Sequence, residues 1–163
     1  MLPLLAVWLH VLVVFLLVAG ILGRDIVYHR AARSDDLAEI RALMSLGNVF
    51  EMRLVRPGTL WVLLAGLLAA WLRGWPILGF LQGGHANWVL AALVIYLTII
   101  PLIVFVFLPR GRVFQRAYDE ARARGAVTPE LTSALHDPWV RAARAYEWVM
   151  IATLSYLMIA KPF

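Results

Sequence analysis

Apolar positions in this chain fall into long unbroken runs, and polar positions collect between them. Residues 1–23 carry no formal charge. As an α-helix rising about 1.5 Å per residue, that stretch is about 35 Å long, enough to cross a hydrocarbon core of about 30 Å. Further apolar runs lie at 59–72, 88–108 and 148–160. They predict an all-α, polytopic integral membrane protein, an antiparallel four-helix transmembrane bundle with amphipathic cytoplasmic helices. One membrane domain accounts for the whole of 1–163, with spans at about 2–23, 57–72, 88–108 and 145–160.

The polar stretches carry start and stop signals. Gly20 and Gly23 lie three apart, so a neighbouring helix can approach one side of span one closely. Residues 24–56 hold six Arg and five acids. Within them Asp36-x-x-Glu39 reads as a capping-box variant, and Leu37, Ile40, Leu43, Met44, Gly47 and Phe50 recur at helical spacing. The segment is an amphipathic helix on the inner face or an inward extension of span two. Pro57 suits the first turn of a helix, and span two is expected to begin at Arg56-Pro57-Gly58. Residues 73–87 are apolar and glycine-rich, and predict a short segment in the outer interface. Pro101 should kink span three. Residues 112–124 read as a helix with Gly125 as its C′ residue. Thr128-Pro129-Glu130 opens a short helix; Asp137 caps the last one, with Pro138 at N1.

Composition strengthens the membrane reading. The chain is 63% hydrophobic, against about 45–50% apolar in soluble domains. It has no cysteine, which excludes disulfides, thiolate metal sites, thiol nucleophiles and covalent c-type haem. The net charge is +5, and all but one of the basic residues are Arg. Six Arg lie in 24–56 and seven from Arg110 to Arg144, with one between spans two and three. The positive-inside rule then places both arginine-rich segments in the cytoplasm of a bacterial inner membrane and both termini outside. Basic loops facing anionic lipid explain the charge better than nucleic acid does. The expected partners are the lipid bilayer and either other membrane subunits or further copies of the chain.

His10 is the polar side chain that interrupts span one. It lies about 10 Å below the outer surface. At that depth the other helices present Gly66, Tyr96 and Leu154 to Tyr156. Polar residues inside spans are rare and often functional, and imidazole is the usual protein ligand to haem iron. His10 is therefore a candidate metal ligand, with Tyr96, Tyr156 and Gly66 around a flat cofactor. The competing reading is a neutral imidazole bonded to a Tyr hydroxyl or a backbone carbonyl. His29 is about 28 Å away along the helix and cannot share its metal. His136 reads as solvated. A second axial ligand would have to be His85, Met158 or a residue of another subunit. A second constellation, Arg24, Glu51, Arg53, Arg56, Arg144 and Glu147, belongs near the cytoplasmic helix ends. It is either snorkelling Arg with paired acids or a cationic mouth for an anionic group.

No P-loop, dinucleotide fingerprint, nucleophile elbow or zinc-type His pair is present. Leu9-His10, Ala19-Gly20, Val27-Tyr28-His29, Glu51-x-Arg53-Leu54 and Pro57-Gly58 resemble the first half of HemJ-type membrane proteins, which include a haem-containing protoporphyrinogen oxidase and are similar to CopD-like families. The ending Tyr156-Leu157-Met158-Ile159-Ala160-Lys161-Pro162 resembles an uncharacterised bacterial family of four-span proteins that share the first-helix His. The resemblance implies that His10 is a ligand to haem b, and marks Arg24, Glu51, Arg53, Glu147 and Lys161 as matching polar positions. Span three lacks the His and Lys that HemJ-type proteins carry there, which sets protoporphyrinogen oxidation aside. Three readings follow: a haem b- or porphyrin-associated redox membrane protein, a non-enzymatic accessory or structural subunit of a larger membrane complex, and a small metal transporter.

Overall fold

Prolines that would stop an isolated helix are carried through here by π-turns. The computed structural model describes residues 1–163, which form helices and turns with no strand. Helix α1 (Leu2–Ala31) has Pro3 in its first turn. After a short turn, α2 (Leu37–Phe50) runs through a π-turn at Glu51–Val55 into α3 (Arg56–Leu72). The three pieces form one rod, Leu37–Leu72. In a regular α-helix the Pro57 ring would strike the Arg53 carbonyl. The wider π-turn relieves that clash, and Thr59 Oγ1 donates to the Val55 carbonyl at 2.8 Å. Pro57 thus falls in the first turn of α3 and within a continuous rod; of the two readings of the preceding segment, the inward extension of span two is the one seen.

A 3₁₀ turn at Gly79–Gln82 leads to a second rod, Trp88–Arg124. It comprises α4 (Trp88–Leu97), α5 (Ile99–Leu102), a π-turn at Ile103–Phe107 and α6 (Leu108–Arg124). The break at Thr98 follows from Pro101, which has no N–H for the Leu97 carbonyl. The second π-turn precedes Pro109 as the first precedes Pro57. Helices α7 (Pro129–Leu135) and α8 (Pro138–Ala160) complete the chain.

Helix starts follow capping chemistry. Asp36 accepts from the Ala38 amide at 2.9 Å, and Thr128 from Leu131 at 3.3 Å. Asp137 accepts from the Trp139 and Val140 amides at 2.8 and 3.3 Å. Glu39 does not close a capping box; it turns to Arg30 and Ser34. Gly125 ends α6 at φ +70, where a β-carbon would be strained.

Helix α1 runs beside the α2–α3 rod in the opposite direction, and glycine sets their spacing. Gly66 meets His10 and Gly58 meets Leu17. Gly20 meets Leu54, Gly23 meets Phe50 and Gly47 meets Val27. A β-carbon at Gly20 would lie 2.6 Å from that of Leu54. At the far end of the fold, the Trp88 amide donates to the Phe163 carbonyl at 3.2 Å, joining α4 to the chain end beyond α8.

The largest cluster of buried apolar side chains lies at the arginine-rich end. Ala31, Ile40, Ala121 and Leu131 are fully buried there, in a cluster drawn from α1, α2, α6 and α7. Water drives apolar burial at that end, whereas lipid is as apolar as leucine and does not. Elsewhere the surface itself is apolar: Phe15, Trp61, Phe105 and Ile159 are exposed, as expected of residues that face lipid. Three helices, α1 and the two rods, are long and apolar enough to cross a membrane. Helix α8 is not among them, because Arg141, Arg144 and Glu147 occupy its first half.

Candidate functional site

The face of α1 that turns inward carries Ala6, His10, Leu17, Ile21, Arg24, Val27 and Ala31. Steps of three, four and seven residues keep these side chains on one stripe. His10 and Arg24 therefore share a face, about 21 Å apart, and each organises a separate cavity.

His10 is 8% exposed, and neither ring nitrogen has a hydrogen-bond partner. The ring lies against α3 at Gly66, where an added β-carbon would be 3.0 Å from Cε1 and 3.3 Å from Nδ1. The Val62 carbonyl, one turn below Gly66, is close enough to act on the imidazole, as the backbone-carbonyl form of the competing reading expects, although no hydrogen bond closes. Beside the imidazole is a cavity of about 400 Å³, walled by α1, α3, α4 and α8. Its lining is overwhelmingly apolar and includes Gly66, Tyr96, Leu154 and Met158. Arg73 and Lys161 line it as well, beside Trp75 and Trp88. The Lys161 ammonium sits 4.7 Å from the Trp75 ring centre and 5.7 Å from that of Trp88.

Neither tyrosine of the sequence reading bonds His10. The Tyr96 hydroxyl donates instead to the Thr59 carbonyl, tying α4 to α3. Tyr156 is 62% exposed and lines neither cavity. His29, His85 and His136 are all exposed. No three His, Cys, Asp or Glu side chains converge as a metal cage would require, so His10 stands as a single imidazole.

The second centre is a buried ion cluster. Arg24 Nη2 lies 2.6 Å from Glu147 Oε2, its Nη1 3.5 Å from Glu51 Oε2 and its Nε 3.1 Å from Asp25 Oδ1. Asp25 also accepts from Trp148 Nε1 at 3.0 Å. Arg56 Nε meets Glu51 Oε1 at 3.2 Å. Arg144 stacks on the Tyr28 ring at 3.9 Å; its Nε is buried without a hydrogen bond, and the nearest carboxylate, Asp25, is 3.8 Å away. The charges of Arg24, Arg56 and Arg144 balance those of Asp25, Glu51 and Glu147. Arg53 is exposed and stands outside the cluster. Asp25, Tyr28 and Trp148 are members that sequence reasoning missed; the acid beside Arg24 was the available signal.

Above this cluster, on the arginine-rich side, opens a cleft of about 870 Å³ between α2 and α6. Val55, Thr59, Ile99 and Glu147 line both the cleft and the His10 cavity. Glu147 and its neighbours are thus the wall between the two.

A family model described as "Predicted integral membrane protein (DUF2269)" matches residues 4–162. No curated protein and no solved structure matches the chain.

Proposed function

The chain belongs to the DUF2269 family of predicted integral membrane proteins, and we propose that it binds haem b or a related porphyrin in the bilayer, with His10 as the iron ligand. The observation that carries this reading is a buried imidazole with both ring nitrogens unpartnered. A buried polar group without a partner costs about 1–3 kcal/mol, and the fold bears that cost beside a cavity. The residues suit the group. Gly66 leaves space where any side chain would press on the ring. The cavity of about 400 Å³ falls within the usual range for ligand sites, about 300–1,000 Å³. Arg73 and Lys161, which line it beside Trp75 and Trp88, are suitable partners for carboxylates. The ring nitrogens are turned to α3, and ligation would uncover one of them.

Haem bound at this position would supply one-electron redox chemistry in the membrane. The residues of the chain would hold it and exclude water: His10 as ligand, Gly66 as the gap, Tyr96 as a fixed wall and the apolar lining as insulation. Tyr156 has no part in this arrangement.

The same reading sets the chain as four antiparallel spans in the bacterial inner membrane, with α8 as the fourth and both termini outside. Its support is the concentration of Arg at one end of the rods.

The test is an absorption spectrum of protein purified in mild detergent from cells supplied with haem precursor. A Soret band that sharpens in the α/β region on reduction, and that His10→Ala removes, is the expected result. A folded, colourless wild-type protein would overturn haem binding. It would favour the second reading, an accessory subunit of a larger membrane complex, to be sought by co-purification.

A further inference from the structure

The arginine-rich cleft is unused by the haem reading, and its lining changes character along its length. Ile99, Ile103, Phe107 and Leu108 line an apolar stretch of it, all on the rod Trp88–Arg124. Further along the same rod come Arg110 and Arg122, and Arg41 of α2 and Arg144 of α8 line the cleft as well. These four are not equally engaged. Arg110 pairs with Asp137 at 3.2 Å. Arg144 holds only the long contact to Asp25. Arg41 has no ion pair among the side chains, and Arg122 has none either, its guanidinium lying 5.9 Å from the Tyr118 ring centre. The carboxylates of the lining, Glu51 and Glu147, are already taken by Arg24 and Arg56. The cleft therefore carries surplus positive charge next to an apolar trough, with an aromatic wall of Tyr28, Phe114 and Tyr118 beside it.

An amphiphile with an anionic head matches that gradient, and a small soluble anion would leave the trough unfilled. We propose that the cleft is a binding site for an anionic phospholipid. The phosphate lies among Arg41, Arg122 and Arg144, and an acyl chain follows Phe107 and Ile103 into the bilayer. Arg144 is suited to the head group because it lines the cleft with its guanidinium fixed over Tyr28, and its contact to Asp25, at 3.8 Å, is too long for a hydrogen bond. Charge-assisted hydrogen bonds from Arg to phosphate are among the stronger polar contacts. The proposal rests on the arginine-rich end lying at a bilayer surface. It is independent of whether His10 takes a cofactor.

Native mass spectrometry of the full-length detergent-purified protein, titrated with phosphatidylglycerol or phosphatidylcholine, tests it. Phosphatidylglycerol should bind at least about tenfold more tightly. Each Arg near a phosphate contributes about fivefold in affinity, so Arg41→Gln with Arg122→Gln should weaken phosphatidylglycerol about 25-fold and phosphatidylcholine, whose choline offsets its phosphate charge, by clearly less. Both side chains are exposed and outside the ion cluster, so the fold should survive, as circular dichroism would show. A control, Arg112→Gln with Arg116→Gln, removes the same charge away from the cleft and should have little effect. Equal binding of the two lipids, or equal losses in the two double variants, would overturn the site. Inorganic phosphate should displace the lipid poorly; full displacement at millimolar phosphate would assign the cleft to a soluble anion and overturn the lipid proposal.

Discussion

Arg24 and Glu147 are 123 residues apart in sequence and 2.6 Å apart in space, each about 5–6% exposed. They join α1 to α8 at the floor between the two cavities. Removing one member of a buried ion pair leaves a buried charge uncompensated, at a cost of about 3–5 kcal/mol. Arg24 keeps Asp25 and Glu51, which places Glu147→Ala near the lower figure. The expected fall in the detergent unfolding midpoint is about 6–12 °C. Arg24→Met combined with Glu147→Met removes both charges and should recover at least half of that loss. A double variant as unstable as the sum of the two single ones would show that the ions are not coupled.

The glycine seam gives a second expectation. At Gly20 a β-carbon would meet Leu54 at 2.6 Å, while at Gly111 it would meet nothing within 4 Å. Gly20→Ala should push α1 off the α2–α3 rod and destabilise by about 1–3 kcal/mol. Gly111→Ala, in the exposed part of α6, should be neutral or stabilising by up to about 1 kcal/mol. Thermal melts of the two variants side by side compare close approach with helix propensity. Equal effects would remove the close approach as the reason for Gly20.

Tyr96 carries a third. Its hydroxyl bond to the Thr59 carbonyl links α4 to α3 beside the His10 cavity. Interhelical hydrogen bonds in membranes average about 0.6 kcal/mol, so Tyr96→Phe should shift the melt by no more than about 2 °C. A shift several times larger would mean that the hydroxyl does more than tie two helices.

What was legible in the sequence was position along each helix axis. The rise per residue places His10 level with Gly66 and Tyr96, and the structure brings the first two into contact. Asp36, Thr128 and Asp137 start helices because their side chains supply acceptors that the first turn lacks. Pro101 breaks its helix where its missing N–H requires. Rotation about the axis was not legible. In water an apolar stripe marks the buried face of a helix, but α1 is apolar all round, and lipid does not distinguish its sides. Tyr156 and Arg53 therefore turned outward unannounced, and Asp25, Tyr28 and Trp148 turned inward. Pro57 does fall in the first turn of α3, and the π-turn spanning Glu51–Val55 joins that helix to α2 as one rod, the inward extension that the sequence left open beside a separate surface helix.

Gly66 is the counterpart of His10 on α3, so filling it should act on the imidazole without removing it. A Leu at Gly66 must occupy the space 3.0–3.8 Å from the ring atoms. Gly66→Leu should abolish or shift the Soret band while His10 is still present. An unchanged spectrum would separate Gly66 from the pigment site.

The most direct measurement is chemical rescue of the ligand. His10→Gly leaves a hole the size of an imidazole beside the cavity of about 400 Å³. Purified from haem-supplied cells, this variant should be colourless or altered, and added imidazole should restore the wild-type absorption spectrum. If the wild-type protein is folded and colourless, or if His10→Gly keeps the wild-type spectrum without imidazole, His10 is not the haem ligand.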